Sequence, residues 1–200
     1  MLASKDNTLY QTGSGALSNG AGEYLFVGRN NSGQARRAAI AFDIASTVPA
    51  GAKVISVRLV MTMSKSQADG TEIRLHRLVA DWGEGTSKAS GEQGGGWSAA
   101  PGDATWVHRS FDSQKWLKQG GDFAESSSAS TVVGLPNEYA WGSTQEMVTD
   151  VQGWLDDPTK NFGWILIGDE NNIQTTKRFH SRETGAAAQR PTLTIEFVAR

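Results

Sequence analysis

Three stretches of strict alternation constrain this chain more than anything else in it. In 53–63, Ile55, Val57, Leu59, Met61 and Met63 share one face, opposite Ser56, Arg58 and Thr62. In 37–44, Ala38, Ile40, Phe42 and Ile44 oppose Arg37, Ala39, Ala41 and Asp43. In 192–198, Leu193, Ile195 and Phe197 oppose Thr192, Thr194 and Glu196. A strand returns to the same face every second residue and a helix does not. This pattern therefore predicts half-buried strands of an antiparallel sheet. Shorter candidates fall at 7–10, 23–28, 71–78, 104–111, 131–135, 138–142 and 175–180, and Trp164–Ile167 reads as a strand covered on both faces. Turn chemistry separates them at Ser18-Asn19-Gly20, Asn30-Asn31-Ser32-Gly33, Pro49-Ala50-Gly51, Asp69-Gly70 and Pro136-Asn137. The expectation is an all-β, jelly-roll-like antiparallel sandwich, with 1–200 as one domain.

Two segments break the rhythm. In 144–156, Met147, Val148, Val151, Trp154 and Leu155 recur at helical spacing. Ser143 and Glu146 have the spacing of a capping box, and Asp157-Pro158 ends the run. This predicts one short amphipathic helix plugging an end of the sandwich, with Trp154 on its apolar stripe. Residues 81–103 form a long, polar, glycine-rich loop with two tryptophans. Loops of that length in compact domains are uncommon and usually carry function or disorder.

Composition excludes several classes. The chain has no cysteine, which rules out disulfides, thiolate zinc and thiol catalysis. Net charge is −2, without the basic excess or stripe of a nucleic-acid binder. No apolar stretch is long enough to span a bilayer as a helix, and the N-terminus lacks the apolar middle of a signal peptide. No nucleophile elbow, zinc-protease helix or phosphate loop is present. His76, His108 and His180 sit in separate strand candidates, so they read as surface or hydrogen-bonded groups rather than a shared active site.

The tryptophans carry the strongest hint of a ligand. An indole offers flat apolar area to the C–H face of a sugar and an N–H at its edge. Trp97 is the leading candidate, because Gly94-Gly95-Gly96 cannot bury it locally, and Trp82 and Trp106 flank the same loop. The competing reading is that these indoles pin the loop onto the sandwich. Asp81, Glu84 and Asp103 frame the loop and could supply oxygens to a structural Ca²⁺, and Asp169-Glu170-Asn171-Asn172 is a second oxygen-rich turn. Arg37 and Asp43 on one strand face, and Arg178 and His180 on another, could meet an anionic glycan or pair with charges on neighbouring strands.

These motifs, taken in order, resemble a known family. DNTLYQ, LSNGAG, LFVGR, RRAAIAFDI and VPAGAKV, then LHRLVADWGEG, GGGW, GDATW, GGDF, MVTDVQGWL, NFGWILIGDE and KRFHSRE, resemble the bacterial DNRLRE-domain family from about Asp6 to Phe197. That family is similar to carbohydrate-binding module family 96 and to disaggregatase-related repeats. The resemblance implies a jelly-roll sandwich in secreted or surface-attached proteins. The resulting expectation is a non-catalytic extracellular module that binds a polysaccharide or cell-surface glycan. A self-assembling matrix, filament or adhesion subunit is the alternative, and a glycan-cleaving enzyme ranks last.

Overall fold

A computed structural model describes residues 1–199. Its strands are β1 (Lys5–Tyr10), β2 (Leu17–Ser18), β3 (Tyr24–Arg29), β4 (Ala35–Ala41), β5 (Lys53–Ser66), β6 (Thr71–Leu78) and β7 (Trp97–Ser98), followed by β8 (His108–Ser110), β9 (Gln114–Lys115), β10 (Phe123–Val133) and β11 (Asn137–Gly142), then β12 (Trp164–Ile167), β13 (Lys177–His180) and β14 (Thr192–Val198). The helix α1 (Gln145–Asp156) lies between β11 and β12. No helix among the described residues is long and apolar enough to cross a membrane.

The fold is a sandwich-like arrangement of antiparallel strands. The first sheet carries β11, β5, β13 and β3, with β14 beside the first half of β5. The second carries β10, β6, β12, β4 and β1. Strand β3 joins them. Its residues 24–27 pair with β13, whereas Gly28 and Arg29 pair with β4. The corner requires glycine: Gly28 has φ +114°, and a Cβ there would lie 2.7 Å from the Thr175 carbonyl.

The alternating apolar faces meet between the sheets. Leu25, Val27, Ile40, Leu59, Met61, Leu75, Trp141 and Phe179 belong to this core. Each such side chain contributes roughly 1.5–3 kcal/mol by leaving water. Helix α1 bridges the two sheets, adding Met147, Val151, Trp154 and Leu155 to the same core. Its Asp150 carboxylate anchors it, accepting from the Trp164 indole at 2.9 Å and the Ser128 hydroxyl at 2.6 Å. The helix cap is Thr144 rather than Ser143. Thr144 Oγ1 accepts from the Met147 amide, while Ser143 Oγ accepts from Val57 N of the neighbouring strand.

Two further expectations shift. Ile55 and Phe197 are 49 % and 37 % exposed, although alternation put both on the buried face. The register between β5 and β14 slips between Glu196 and Phe197, so one extra residue of β5 turns Ile55 out and Val54 in, while Phe197, opposite Val54, keeps its face and is exposed near the end of the strand. The candidate strand at 131–135 is the end of the long β10, and 104–111 shrinks to the short β8.

Candidate functional site

The long glycine-rich loop is a structural cover. The outer face of the second sheet presents Leu9, Ala39, Ala41, Ile165 and Ile167, which are apolar and need burial. Trp82, Ala104, Trp106 and Trp116 from the loop region lie on that face. The Trp82 indole donates to the Phe162 carbonyl at 2.9 Å, and Trp116 donates to the Thr105 carbonyl at 2.9 Å. Asn7, fully buried on β1, pins the loop from below: its Nδ2 donates to the Glu84 and Ala104 carbonyls and to Ser18 Oγ. Trp82 and Trp106 are therefore buried at 3 % and 6 % exposure and offer no free face to a sugar. Of the predicted ligand tryptophans, only Trp97 is exposed, at 56 %.

The three carboxylates that frame the loop do not converge. Asp81 pairs with Lys5 at 2.9 Å. Asp103 is fully buried and accepts from Thr86 N, Ala100 N and the Ser87 hydroxyl. Glu84 alone joins an acidic group, with Asp6 and Glu183, whose oxygens lie within 4.8 Å of one another. Arg182 sits among them, donating to Glu84 at 3.0 Å and to Glu183 at 2.5 Å. The Asp6 carboxylate accepts from Arg182 N at 2.8 Å. Burial, and then the charge of Glu183, push the Asp6 carboxyl well above its ordinary value. Asp169 closes its own turn, accepting from Asn171 N and Asn172 N, and Glu170 is claimed by Arg37.

The segment from Glu92 to Ser98 forms a strap over the edge where β1 leaves the second sheet and β3 begins the first. Gly96, at φ +69°, lies on the Tyr10 ring so closely that a Cβ would stand 3.2 Å from it. Tyr10 donates its hydroxyl to the Gln93 carbonyl at 3.0 Å, and Asn19 holds the Gln93 side chain at 3.1 Å. Of the glycines before Trp97, Gly96 covers Tyr10 and Gly94 faces Phe26. Trp97 itself pairs opposite Ser18 in the β2–β7 ribbon and projects from a fixed strap.

Beside the strap lies a cavity of about 200 Å³. Its walls include Phe26 and Asn30, Arg36 of β4, Lys65 of β5, and Thr176 and Arg178. Opposed residues of paired antiparallel strands share a face, so Phe26, Arg178 and Lys65 form one row across the first sheet. Exposed Glu92 bridges the mouth, accepting from Lys65 at 2.9 Å and Arg178 at 2.8 Å, and these contacts lower its carboxyl below the usual value. Arg178 also stacks over the Tyr24 ring at 4.0 Å. Arg36 is buried beneath, at 3 % exposure, stacked on the Tyr10 ring at 4.8 Å. Burial lowers its basicity. Sequence alternation held the signal for this residue: Arg36 continues the core stripe of Ala38 and Ile40, where a charge is out of place.

The histidines stay apart. His76 Nδ1 faces the Ala124 carbonyl at 3.0 Å, His180 Nδ1 faces Thr184 Oγ1 at 3.2 Å, and His108 contacts Thr105. Burial lowers the first two below the ordinary imidazole value, so both are neutral at pH 7. The chain matches no protein-family model and no curated protein.

Proposed function

We propose that this chain is a non-catalytic extracellular polysaccharide-binding module. The observation that carries the reading is a half-exposed tryptophan, Trp97, held on a rigid strap next to a cavity lined by Phe26 and three basic side chains. A flat indole and a concave polar site on one edge suit a sugar chain lying along the strap. The resemblance of its motifs to those of DNRLRE-domain proteins supports the same reading and an extracellular or cell-surface location. Affinity electrophoresis through gels containing neutral and acidic polysaccharides tests it. Retardation that falls when Trp97→Ala is introduced supports the module, and wild-type mobility in every polymer removes it.

A structural calcium is proposed only at Asp6, Glu84 and Glu183, where it competes with Arg182. Calcium raising the melting temperature of the wild type but not of Asp6→Asn would support that site, and no calcium effect at pH 8 would remove it. A second reading, self-assembly, has one specific support. Strand β14 has β5 on one side, and exposed Ile55, Phe197 and Val198 lie along this pair. Met1 and Leu2 bond the start of its other side at Thr192 and Leu193, and the edge beyond, with its apolar side chains, can pair with another copy. Light scattering that shows only monomers as concentration rises would count against it.

A further inference from the structure

We infer that the cavity beside the strap is a subsite for a tetrahedral oxyanion, the sulfate ester of a polysaccharide. This rests on the polysaccharide-binding reading above and adds the chemistry of the substituent.

A charge without a partner leads to the site. A guanidinium leaves water at little cost only when carboxylates or well-placed acceptors replace its hydration. Other buried cations in this fold obey the rule. Lys177, fully buried, donates to Ser66 Oγ at 2.6 Å, the Ala68 carbonyl at 2.6 Å and the Asp69 carbonyl at 2.8 Å. Arg37 grips both oxygens of Glu170, at 2.7 and 2.8 Å. Arg36 has the Ala35 carbonyl at 2.9 Å and the Gln34 amide oxygen only at 3.5 Å. Its buried Nε has no acceptor, and no carboxylate among the described residues lies within 4.0 Å of it. Thr176, on the same cavity, has a buried hydroxyl with no partner either. Arg36 and Thr176 line one cavity and each keeps an unpaired group sealed behind its wall, so an acceptor from outside the chain reaches them as the side chains turn.

The balance of charge gives the sign of that ligand. Arg36, Lys65 and Arg178 face one carboxylate, Glu92, an excess of two positive charges. Glu92 is exposed and spans two of the cations, so it stands where a ligand anion would sit and can swing away. The arrangement of donors gives the shape. A planar carboxylate is satisfied by one guanidinium fork, as Glu170 is by Arg37. Here Asn30, Arg36, Lys65, Thr176 and Arg178 come from different strands and connections and surround a space of about 200 Å³. Such a cage suits three terminal oxygens that diverge. The volume admits a sulfate group and part of a ring, leaving the rest of the sugar chain to Trp97.

The test is affinity electrophoresis at fixed ionic strength in three polymers: dextran sulfate, unsulfated dextran and polygalacturonate. The expected result is retardation by dextran sulfate about tenfold stronger than by the other two, as charge-assisted contacts from a caged site require. Thr176→Val and Arg178→Gln each weaken it several-fold, Arg36→Met abolishes it, and Glu92→Gln strengthens it. Lys160→Ala, which removes one positive charge from an exposed turn elsewhere, leaves it unchanged. Circular dichroism checks folding, and should Arg36→Met fail to fold, Thr176→Val and Arg178→Gln carry the test. An equal loss in Lys160→Ala would show general attraction to a polyanion and overturn the subsite. Unchanged binding in both Thr176→Val and Arg178→Gln would overturn it too. Polygalacturonate held as strongly as dextran sulfate, and released by the same variants, would replace sulfate by carboxylate. Retardation by dextran alone would remove the subsite and leave the polysaccharide-binding reading standing. Retardation by no polymer would remove both.

Discussion

Arg36 and Arg37 are consecutive on β4 and point to opposite faces of the sheet, yet their surroundings have little in common. Arg37 lies under Trp106, on the covered outer face. Both oxygens of Glu170, the Gly120 carbonyl and the rings of Trp106 and Phe123 surround its guanidinium. Arg36 lies under the glycine strap, with an orphaned Nε and a cavity beside it. The difference separates cover from site. On the outer face of the second sheet the covering segments give Arg37 a carboxylate, a carbonyl and two rings, as a second core demands. The strap satisfies Tyr10, and its Glu92 pairs with Lys65 and Arg178, but it leaves Arg36 short of partners.

Tryptophan truncations break this comparison most sharply. Trp106→Ala removes an indole from the buried outer core and should cost about 3–5 kcal/mol of stability, from lost transfer energy and the hole left behind. Trp97→Ala should cost less than about 0.5 kcal/mol, because the exposed indole packs against little. Urea denaturation of both variants checks the pair. Similar losses would mean that the strap is structural like the loop and that Trp97 is no ligand residue.

The arginines give the next largest contrast. Arg37→Met leaves a half-buried Glu170 without its cation, and the expected loss is about 2–3 kcal/mol, below the fully buried limit because both partners keep some contact with water. Arg36→Met removes a desolvated charge that has no counter-ion, so the melting temperature should hold or rise. Thermal unfolding of both at pH 7 decides. A fall for Arg36→Met that equals that of Arg37→Met would give Arg36 a structural duty and weaken the case for a ligand.

The strands and the helix were legible because their cause is local. Alternation fixed which side of β4, β5 and β14 faces the core, and helical spacing found Met147, Val151, Trp154 and Leu155. What could not be read was set by single-residue or long-range events. The slip beside Ile55 is one residue in a bulge, and it inverts a face without altering composition. Ala39 and Ala41, opposite the first core, receive a second core from a loop at least 40 residues later, so their apolar character had no local explanation. For Trp82 and Trp106 the sequence leaves both readings open, ligand contact or pinning of the loop, because the face they cover lies far from them in sequence. Trp97 was correctly read as unburied, but its reason, Gly96 spent on Tyr10 and Gly94 on Phe26, needs the third dimension. Arg36 shares the parity of Ala38 and Ile40, and only the lack of a carboxylate within 4.0 Å among the described residues turns that oddity into a site.

The smallest expected effect concerns the opposite sign of charge, on the same strand as Tyr10. Asp6, Glu84 and Glu183 face Arg182 and one another, an excess of negative charge that mirrors the excess of positive charge around Arg36. The two excesses have different remedies. A carboxylate can take up a proton, whereas an arginine cannot release one. The raised Asp6 carboxyl is that remedy, and it makes the folded state bind a proton more tightly than the unfolded chain. Its stabilisation is complete below about pH 4, where the unfolded carboxyl is also protonated, and fades as pH rises through the folded value. Asp6→Asn carries the neutral form at every pH, and its carbonyl can still accept from Arg182 N. The variant should match the wild type near pH 4 and melt higher at pH 8. A variant that melts lower at pH 8 would mean that the ionised carboxylate is held by Arg182. The acidic group would then be balanced without a proton, and the unpaired Nε of Arg36 would remain without such a remedy.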